Sequence, residues 1–370
     1  LLVQAHMLTG QYDAVITNPP YMNKFSANLK RFVQEHYADY KADLFSVFMH
    51  HNFELCRKNG YTAFMSPFVW MFIKSYEKLR EEIIHQKCIV TLIQMEYSAF
   101  EEATVPICTF VLRNMRLNYK GNYLRLSDFK GGMDVQNEMV LKAQEDPACK
   151  YRYAAQQDNF SKIPGAPVAY WVSEKMQIVF ERGKTLGMYI SPRQGTSTGN
   201  NDLFLRLWHE VDISHIDFCH NSQDTKYPLR WYPATKGGDY RKHYGNNEYV
   251  IDWQMDGKRI GEYAGSAIRN RDANFREGLT WTGISSSNFG VRYCPRGFVF
   301  TISGKGIVGD KLLKYILGFL CSKVASSVLQ VTSPTMSFEV GYINSLPIIE
   351  SLSRNLTESK EELCITISRI

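Results

Sequence analysis

The sequence has no run near the roughly 20 consecutive apolar residues of a membrane-spanning helix, which excludes a helical span within it and leaves no membrane partner to expect. Its eight cysteines, at 56, 88, 108, 149, 219, 294, 321 and 364, include no C-x-x-C pair and no Cys/His spacing suited to zinc. That argues against a zinc framework, and we expect reduced thiols, a cytoplasmic location and no metal site. A large excess of either charge is also missing. The 43 Lys and Arg against 37 Asp and Glu leave a net +6, which permits nucleic acid as partner without requiring it. No internal repeat is visible. The opening Leu1-Leu2-Val3-Gln4-Ala5-His6 lacks an initiator methionine and the basic n-region of a signal peptide, and it reads as the interior of a longer protein. Gly10 stands alone before Asp13, so no glycine-rich loop opens the chain. Ser303-Gly304-Lys305-Gly306 lacks the G-x-x-x-x-G-K-[ST] spacing of a phosphate loop and is expected to be a turn.

What is present is a globular composition, 44% hydrophobic and 22% charged, in a chain long enough for about two or three domains. Its most informative run is Asp13-Ala14-Val15-Ile16-Thr17-Asn18-Pro19-Pro20-Tyr21. Asp13 to Thr17 reads as a buried parallel strand. Two prolines then fix φ twice and end any ladder. The turn sets an amide, a constrained carbonyl and an aromatic ring at the carboxyl end of a strand, where ligands bind in open α/β sheets. An amino group on a flat ring needs that set. The Asn18 side-chain oxygen and the Pro19 carbonyl can each accept one N–H, and the Tyr21 ring can stack on the base.

Residues 1–125 read as α/β. A helical stretch presents Leu29, Phe32, Val33 and His36 on one face. A second helix runs from Asp43 to Leu55 and is expected to stop at Asn59-Gly60, a C-cap signal. Tyr61–Pro67 is a strand, Ser75 can cap a helix over Tyr76–His85, and further strands fall at Ile89–Met95 and Ile107–Leu112. Residues 126–167, rich in Gly, Gln, Asp, Lys and Pro, are expected to connect, with one helix near Gln136–Gln144. Residues 168–350 change texture to short strands, long polar loops and recurrent aromatics, with a helix over Lys311–Val328. Residues 351–370 are read as a tail.

The second half holds Gln194-Gly195-Thr196-Ser197-Thr198-Gly199-Asn200-Asn201-Asp202-Leu203-Phe204, then a basic and aromatic stretch from Arg230-Trp231-Tyr232 to Tyr244-Gly245-Asn246-Asn247, then Gly278-Leu279-Thr280-Trp281-Thr282 and Val331-Thr332-Ser333-Pro334-Thr335. Lys226, Arg230, Lys236, Arg241, Lys242 and His243 sit there among Tyr and Trp. Such residues can neutralise phosphates and fix register on DNA.

With the Asn-Pro-Pro-Tyr run, these segments resemble the gamma-class adenine-N6 DNA methyltransferases of type IIG restriction enzymes and of BREX phage defence, the PglX proteins. The resemblance implies the C-terminal half of a Rossmann-like methyltransferase sheet followed by an α+β target-recognition domain. It implies S-adenosylmethionine (SAM) as cofactor in the parent protein, double-stranded DNA as partner, and nuclease or defence-system subunits alongside. Asn18, Pro19, Pro20 and Tyr21 become the catalytic motif. Phe100, in the loop Tyr97-Ser98-Ala99-Phe100-Glu101-Glu102-Ala103-Thr104-Val105-Pro106, becomes the aromatic on the other face of a flipped base, with Tyr97 second. Asp43, in Lys41-Ala42-Asp43-Leu44-Phe45, falls in a helix-start motif near the cofactor, and it also reads as a plain N-cap. The chain departs from the family by lacking the glycine-rich SAM loop and its acidic partner, so it is expected not to bind SAM alone. Two other readings use the same residues: a DNA-recognition module without chemistry, and an RNA or protein N-methyltransferase, which the length of residues 168–350 disfavours.

Overall fold

A computed structural model describes residues 7, 9–97, 99, 105–285, 288–309, 312–332, 337–349 and 354–369. Two units, Leu1–Glu181 and Arg182–Ile370, each fold around cores of their own. The architecture is mixed α/β.

In the first unit, β1 (Tyr12–Thr17), α1 (Ala27–His36), α2 (Leu44–Leu55), β2 (Cys56–Pro67), α3 (Glu77–Gln86), β3 (Cys88–Gln94), β4 (Ile107–Arg113), β5 (Lys120–Arg125), α4 (Gly132–Glu145) and β6 (Arg152–Gln156) follow in order. They build one six-stranded sheet, β1-β2-β4-β3-β5-β6. β1 pairs parallel to β2, while β4 runs antiparallel to both β2 and β3. β1, β2 and β3 therefore point the same way, and their carboxyl ends share one edge of the sheet. The chain segments after Thr17, Pro67 and Gln94 all leave from that edge.

Several expectations are corrected. β1 is parallel as expected but is an edge strand, with Ile16 79% exposed. Among the described residues no strand pairs with its outer side. Asn59-Gly60 does not cap α2, which passes straight into β2 at Cys56. The two residues form a bulge against β1, with Asn59 at φ 71° and the register shifting between Tyr12 and Ala14. A Cβ on Gly60 would lie 2.7 Å from the Asp13 carbonyl oxygen, so only glycine lets the strands close. On α1, Val33 is buried but Phe32 and His36 are surface residues whose rings meet at a tilt, 4.7 Å apart. Ser75 lies in a short 3-10 turn and caps nothing, because α3 starts after Tyr76. The segment expected to connect is folded into the first unit. Its helix is longer than foreseen, and β6 pairs antiparallel with β5.

The second unit contains β7 (Lys184–Thr185), β8 (Ser191–Arg193), β9 (Leu205–Leu207), β10 (Trp231–Thr235), β11 (Tyr249–Asp252), β12 (Gly278–Thr282), β13 (Val291–Cys294), β14 (Val299–Phe300), β15 (Gly304–Val308) and β16 (Pro347–Ile348). They form sheets β14-β10-β11-β9 and β13-β12-β15-β8, with a small pair β16-β7. The helix expected over Lys311–Val328 is two, α5 (Leu313–Leu320) and α6 (Lys323–Thr332), bent by 70°. The Ser322 hydroxyl accepts from Ala325 N at 3.2 Å, so a serine N-cap makes the break. The expected tail carries a helix, α7 (Arg354–Arg369), that packs on α5. Gly304-Lys305-Gly306 is not a turn but the buried strand β15. Its glycines lie flat against the Thr235 backbone and the Phe300 ring, where no side chain fits. No single described helix is long and apolar enough to cross a membrane.

Arg80 on α3 anchors the first unit from within. It is 1% exposed, and its guanidinium donates to the carbonyls of Trp70 and Ile73, each at 2.7 Å, and twice to Gly165, at 3.0 and 2.7 Å. Arg80→Ala orphans three carbonyls, that of Trp70 buried and those of Ile73 and Gly165 partly buried, at about 1–3 kcal/mol each. We expect a loss of at least about 3 kcal/mol, read as a lower urea midpoint of the first unit. A wild-type midpoint would mean that the guanidinium holds nothing.

Candidate active site

β1 ends at Thr17 because neither proline can continue the ladder. Asn18 is exposed, Pro19 buried, Pro20 exposed and Tyr21 half-buried. Tyr21 then turns back over the motif. Its hydroxyl lies 2.9 Å from Asn18 Oδ1 and 3.2 Å from the Met65 carbonyl oxygen, at the carboxyl end of β2. The single phenolic proton is thus held between two acceptors, and the Asn18 amide is tethered with its oxygen toward Tyr21. An amide oxygen has two lone pairs, so one remains for an incoming N–H. Burial, with a smaller contribution from Cys108, pushes the Tyr21 phenol up to about 12. The phenol keeps its proton throughout the neutral range.

The exit of the turn is fixed by Asp43. One carboxylate oxygen accepts from Met22 N at 2.8 Å and from Phe45 N at 3.2 Å, and Leu44 N donates to the Met22 carbonyl at 2.9 Å. Asp43 is therefore an N-cap, as its position before α2 predicts, and it also pins the residue after Tyr21. The Tyr21 ring meets Phe45 edge-on at 6.4 Å and packs against the cluster of Met95, Ala99 and Ile107. The sequence singles out Tyr21 as a stacking ring; its hydroxyl tie to Asn18 and the Met65 carbonyl are beyond sequence pattern.

The segment after β3 leaves from the same sheet edge. Phe100 lies outside the described residues, while Tyr97 is exposed and Ala99 buried. The base of this segment is braced by Glu96. Its carboxylate accepts from Gly131 N and Gly132 N, at 3.0 and 2.7 Å, at the start of α4, while Glu96 N donates to Gln136 Oε1 at 3.2 Å. An anion suits a helix N-terminus. Nothing in the sequence spacing joins Glu96 to Gly131, so this brace is legible only in the fold.

The six basic residues of the second unit do not act alike. Arg230 Nε lies 3.0 Å from Asp252 Oδ2, which also pairs with Arg259, and its guanidinium lies 4.8 Å from the Trp231 ring centre. Lys236 sits 5.1 Å over Tyr249. Lys242 donates to the Cys321 carbonyl at 2.5 Å. His243 Nδ1 is 2.8 Å from Glu361 Oε2 on α7. Cys364 joins these two in a group of potential ligand atoms within 4.8 Å of one another, which the sequence spacing hides. The His243–Glu361 contact has hydrogen-bond length, and it ties the loop to α7. Lys226 and Arg241 are exposed, with no ion pair among the described residues.

Residues 3–100, which carry this turn, match the Eco57I restriction-modification methylase family. The chain is 37% identical over 372 residues to the adenine-specific methyltransferase PglX of Lacticaseibacillus casei (strain Zhang), covering 96% of this chain and 31% of that protein. It is 34% identical over 376 residues to the adenine-specific methyltransferase BrxX of Escherichia coli O9:H4 (strain HS), covering 99% and 30%. The chain thus spans about a third of the length of these curated relatives. Among solved structures, the Type IIL restriction-modification enzyme MmeI shares the fold over 96% of this chain and 49% of its own, with a TM-score of 0.61 at 12% identity. The chain is accordingly related to the adenine-specific methyltransferases PglX and BrxX, and its residues 3–100 match the Eco57I restriction-modification methylase family.

Proposed function

We propose that this chain is the base-orienting and DNA-recognising part of a SAM-dependent methyltransferase that modifies N6 of a flipped adenine in a specific DNA sequence, in restriction-modification or phage defence. The observation that carries the reading is the Asn18 amide held by the Tyr21 hydroxyl at the carboxyl end of β1. The exocyclic amine of adenine is a poor nucleophile because its lone pair is delocalised into the ring. Asn18 Oδ1 and the Pro19 carbonyl each accept one of its hydrogens, which favours a tetrahedral nitrogen with its lone pair free. No residue of the turn has to take up a proton for this. Positioning and fixed dipoles supply the acceleration. The base has to leave the duplex to reach the turn. The ring of Tyr21 offers one stacking face, and Phe100 is proposed for the other.

SAM, the donor this reading implies, supplies an electrophilic methyl group. Asp43, in the segment that the resemblance sets near the cofactor, is engaged as an N-cap, one of its oxygens accepting from two backbone amides. The groups set in place among the described residues, Asn18, Pro19 and Tyr21, serve the acceptor side of the reaction, and that side we assign to this chain.

In this reading the target-recognition domain expected over residues 168–350 has its residues 182–350 in the second unit. MmeI, whose fold is similar, was determined in complex with DNA. The free side chains Lys226 and Arg241 are the ones to place on phosphates first. The tied side chains of Arg230, Lys236, Lys242 and His243 serve the loop's own shape.

Two outcomes check these assignments in the full-length protein. Asn18→Ala removes an acceptor needed as the amine becomes tetrahedral, so the loss falls on the chemical step. Single-turnover methylation should drop by about a hundredfold or more, with gel-shift affinity for DNA unchanged; normal chemistry in this variant would sink the assignment. Arg241→Ala should flatten the log–log salt dependence of DNA affinity by about one unit, whereas Lys242→Ala should leave the slope alone. Equal slopes for wild type and Arg241→Ala would place that side chain away from DNA.

A further inference from the structure

His243, Glu361 and Cys364 bring three kinds of ligand atom to one place in the second unit. An imidazole nitrogen, a carboxylate oxygen and a thiol sulfur all lie within 4.8 Å of one another. No other three His, Cys, Asp or Glu side chains converge this closely among the described residues. Glu361 and Cys364 stand three residues apart on α7 and so share a face. His243 comes from the loop before β11, 118 residues earlier than Glu361. Spacing along the chain therefore gives no sign of the group.

The fold holds these side chains in place by itself. His243 has φ 69°, a left-handed conformation that costs energy for a residue with a Cβ. Two backbone hydrogen bonds with β13 keep it there. His243 N donates to the Val291 carbonyl at 2.9 Å, and Tyr293 N donates to the His243 carbonyl at 2.7 Å. Glu361 is buried, and α7 comes close enough to deliver it because residue 318 of α5 is glycine. A Cβ at 318 would lie 2.8 Å from Thr357 Cγ2 and 3.2 Å from Glu361 Oε1. His243 and Cys364 are partly exposed, which gives an ion a way in. Cys321 is close by but outside the group. Its thiol lies 3.3 Å from the Val291 carbonyl, and burial pushes it up to about 11. The fourth corner of a tetrahedron is thus left to water.

We propose that His243, Glu361 and Cys364 bind a Zn²⁺ ion, with water as its fourth ligand. An imidazole and a thiolate select zinc over magnesium or calcium, which take oxygen ligands. Carboxylate and thiolate together balance the two charges of the ion, so the half-buried complex carries no net charge. Zinc sits about 2.0 Å from nitrogen and oxygen and about 2.3 Å from sulfur, which sets the ligand atoms roughly 3.3–3.6 Å apart in a tetrahedron. The 2.8 Å contact between His243 and Glu361 has to open by about half an ångström to admit it. The ion replaces the proton shared by that pair and the proton of the Cys364 thiol, and both protons pass to solvent. Nothing is oxidised or reduced. The ion fastens the loop of Arg241 and Lys242 to α7 with three metal–ligand bonds in place of one hydrogen bond. The proposal does not depend on the second unit binding DNA.

The test compares wild type, Cys364→Ser, His243→Asn and Cys219→Ser in the full-length protein, reduced and stripped of metal by a chelator. Asparagine tolerates the left-handed backbone at 243, and Cys219 is an exposed thiol outside the group. Zn²⁺ alone is titrated calorimetrically, Co²⁺ serves as a spectroscopic reporter, and melting temperature is followed with and without Zn²⁺. We expect wild type and Cys219→Ser to bind one equivalent that Cys364→Ser and His243→Asn lose or hold at least roughly 10- to 100-fold more weakly. The Co²⁺ spectrum of wild type should carry a thiolate charge-transfer band and the visible bands of a four-coordinate ion, and Cys364→Ser should lack the former. Zn²⁺ should raise the melting temperature of wild type and leave that of Cys364→Ser unchanged. Equal Zn²⁺ binding by wild type, Cys364→Ser and His243→Asn would overturn the site. A loss in Cys219→Ser as large as in Cys364→Ser would overturn it too, because the ion would then be held by free thiols at large. A Co²⁺ spectrum without the charge-transfer band would remove Cys364 from the ligand set and overturn the proposal as stated. If His243→Asn does not fold, the nearly isosteric Cys364→Ser decides.

Discussion

The hydrogen bond from the Tyr21 hydroxyl to Asn18 Oδ1 is the constraint on which the candidate site depends. An asparagine at the tip of a strand has free rotation about two side-chain bonds, and a free amide is a poor template for a transition state. Two prolines remove the backbone freedom between Asn18 and Tyr21. The hydroxyl then removes the side-chain freedom by closing a ring of fixed groups. The Met65 carbonyl and the edge-on Phe45 hold the tyrosine in place, and the carboxylate of Asp43 stops the chain unwinding after Met22. The supports come from both β2 and the start of α2, so the turn is over-determined. Burial holds the Tyr21 phenol protonated at neutral pH.

The same economy of design recurs elsewhere in the chain. Buried charges in the first unit are aimed at the backbone. Asp43 serves amides at the start of α2, Glu96 serves amides at the start of α4, and Arg80 serves three carbonyls. A charged partner on a backbone group gives a stronger hydrogen bond than a neutral one, and it fixes loops rather than faces. These loops leave from the sheet edge that carries Asn18, or brace what does.

Much of this was legible in the sequence. The strand over Asp13–Thr17, the breaking role of Pro19 and Pro20, the cap at Asp43 and the alternation of strands and helices to Leu112 follow from local chemistry. What was illegible has a common cause. Asn59-Gly60 has the composition of a helix C-cap, but its glycine is set by the close approach of Asp13, 47 residues away in sequence (60 − 13). Gly304 and Gly306 have the composition of a turn, but they are flattened by Thr235 and Phe300. Ser322 breaks a continuous apolar stripe because a single hydroxyl can cap a new helix. The basic cluster from Lys226 to His243 looks uniform in sequence, yet Asp252, Cys321 and Glu361 take up half of it from other elements. Except at the Ser322 cap, which is local, long-range partners rather than local propensity decided these.

The central claim is that the Tyr21 hydroxyl orients the acceptor amide. The most direct measurement is single-turnover methylation by the Tyr21→Phe variant of the full-length protein, with DNA affinity determined alongside. Phenylalanine keeps the ring, its packing on Phe45 and any stacking on a base, and removes only the tether. The account predicts a rate lower by about 10- to 100-fold, the usual cost of a misplaced group at a reacting centre, with DNA affinity unchanged. A single-turnover rate equal to wild type would contradict it.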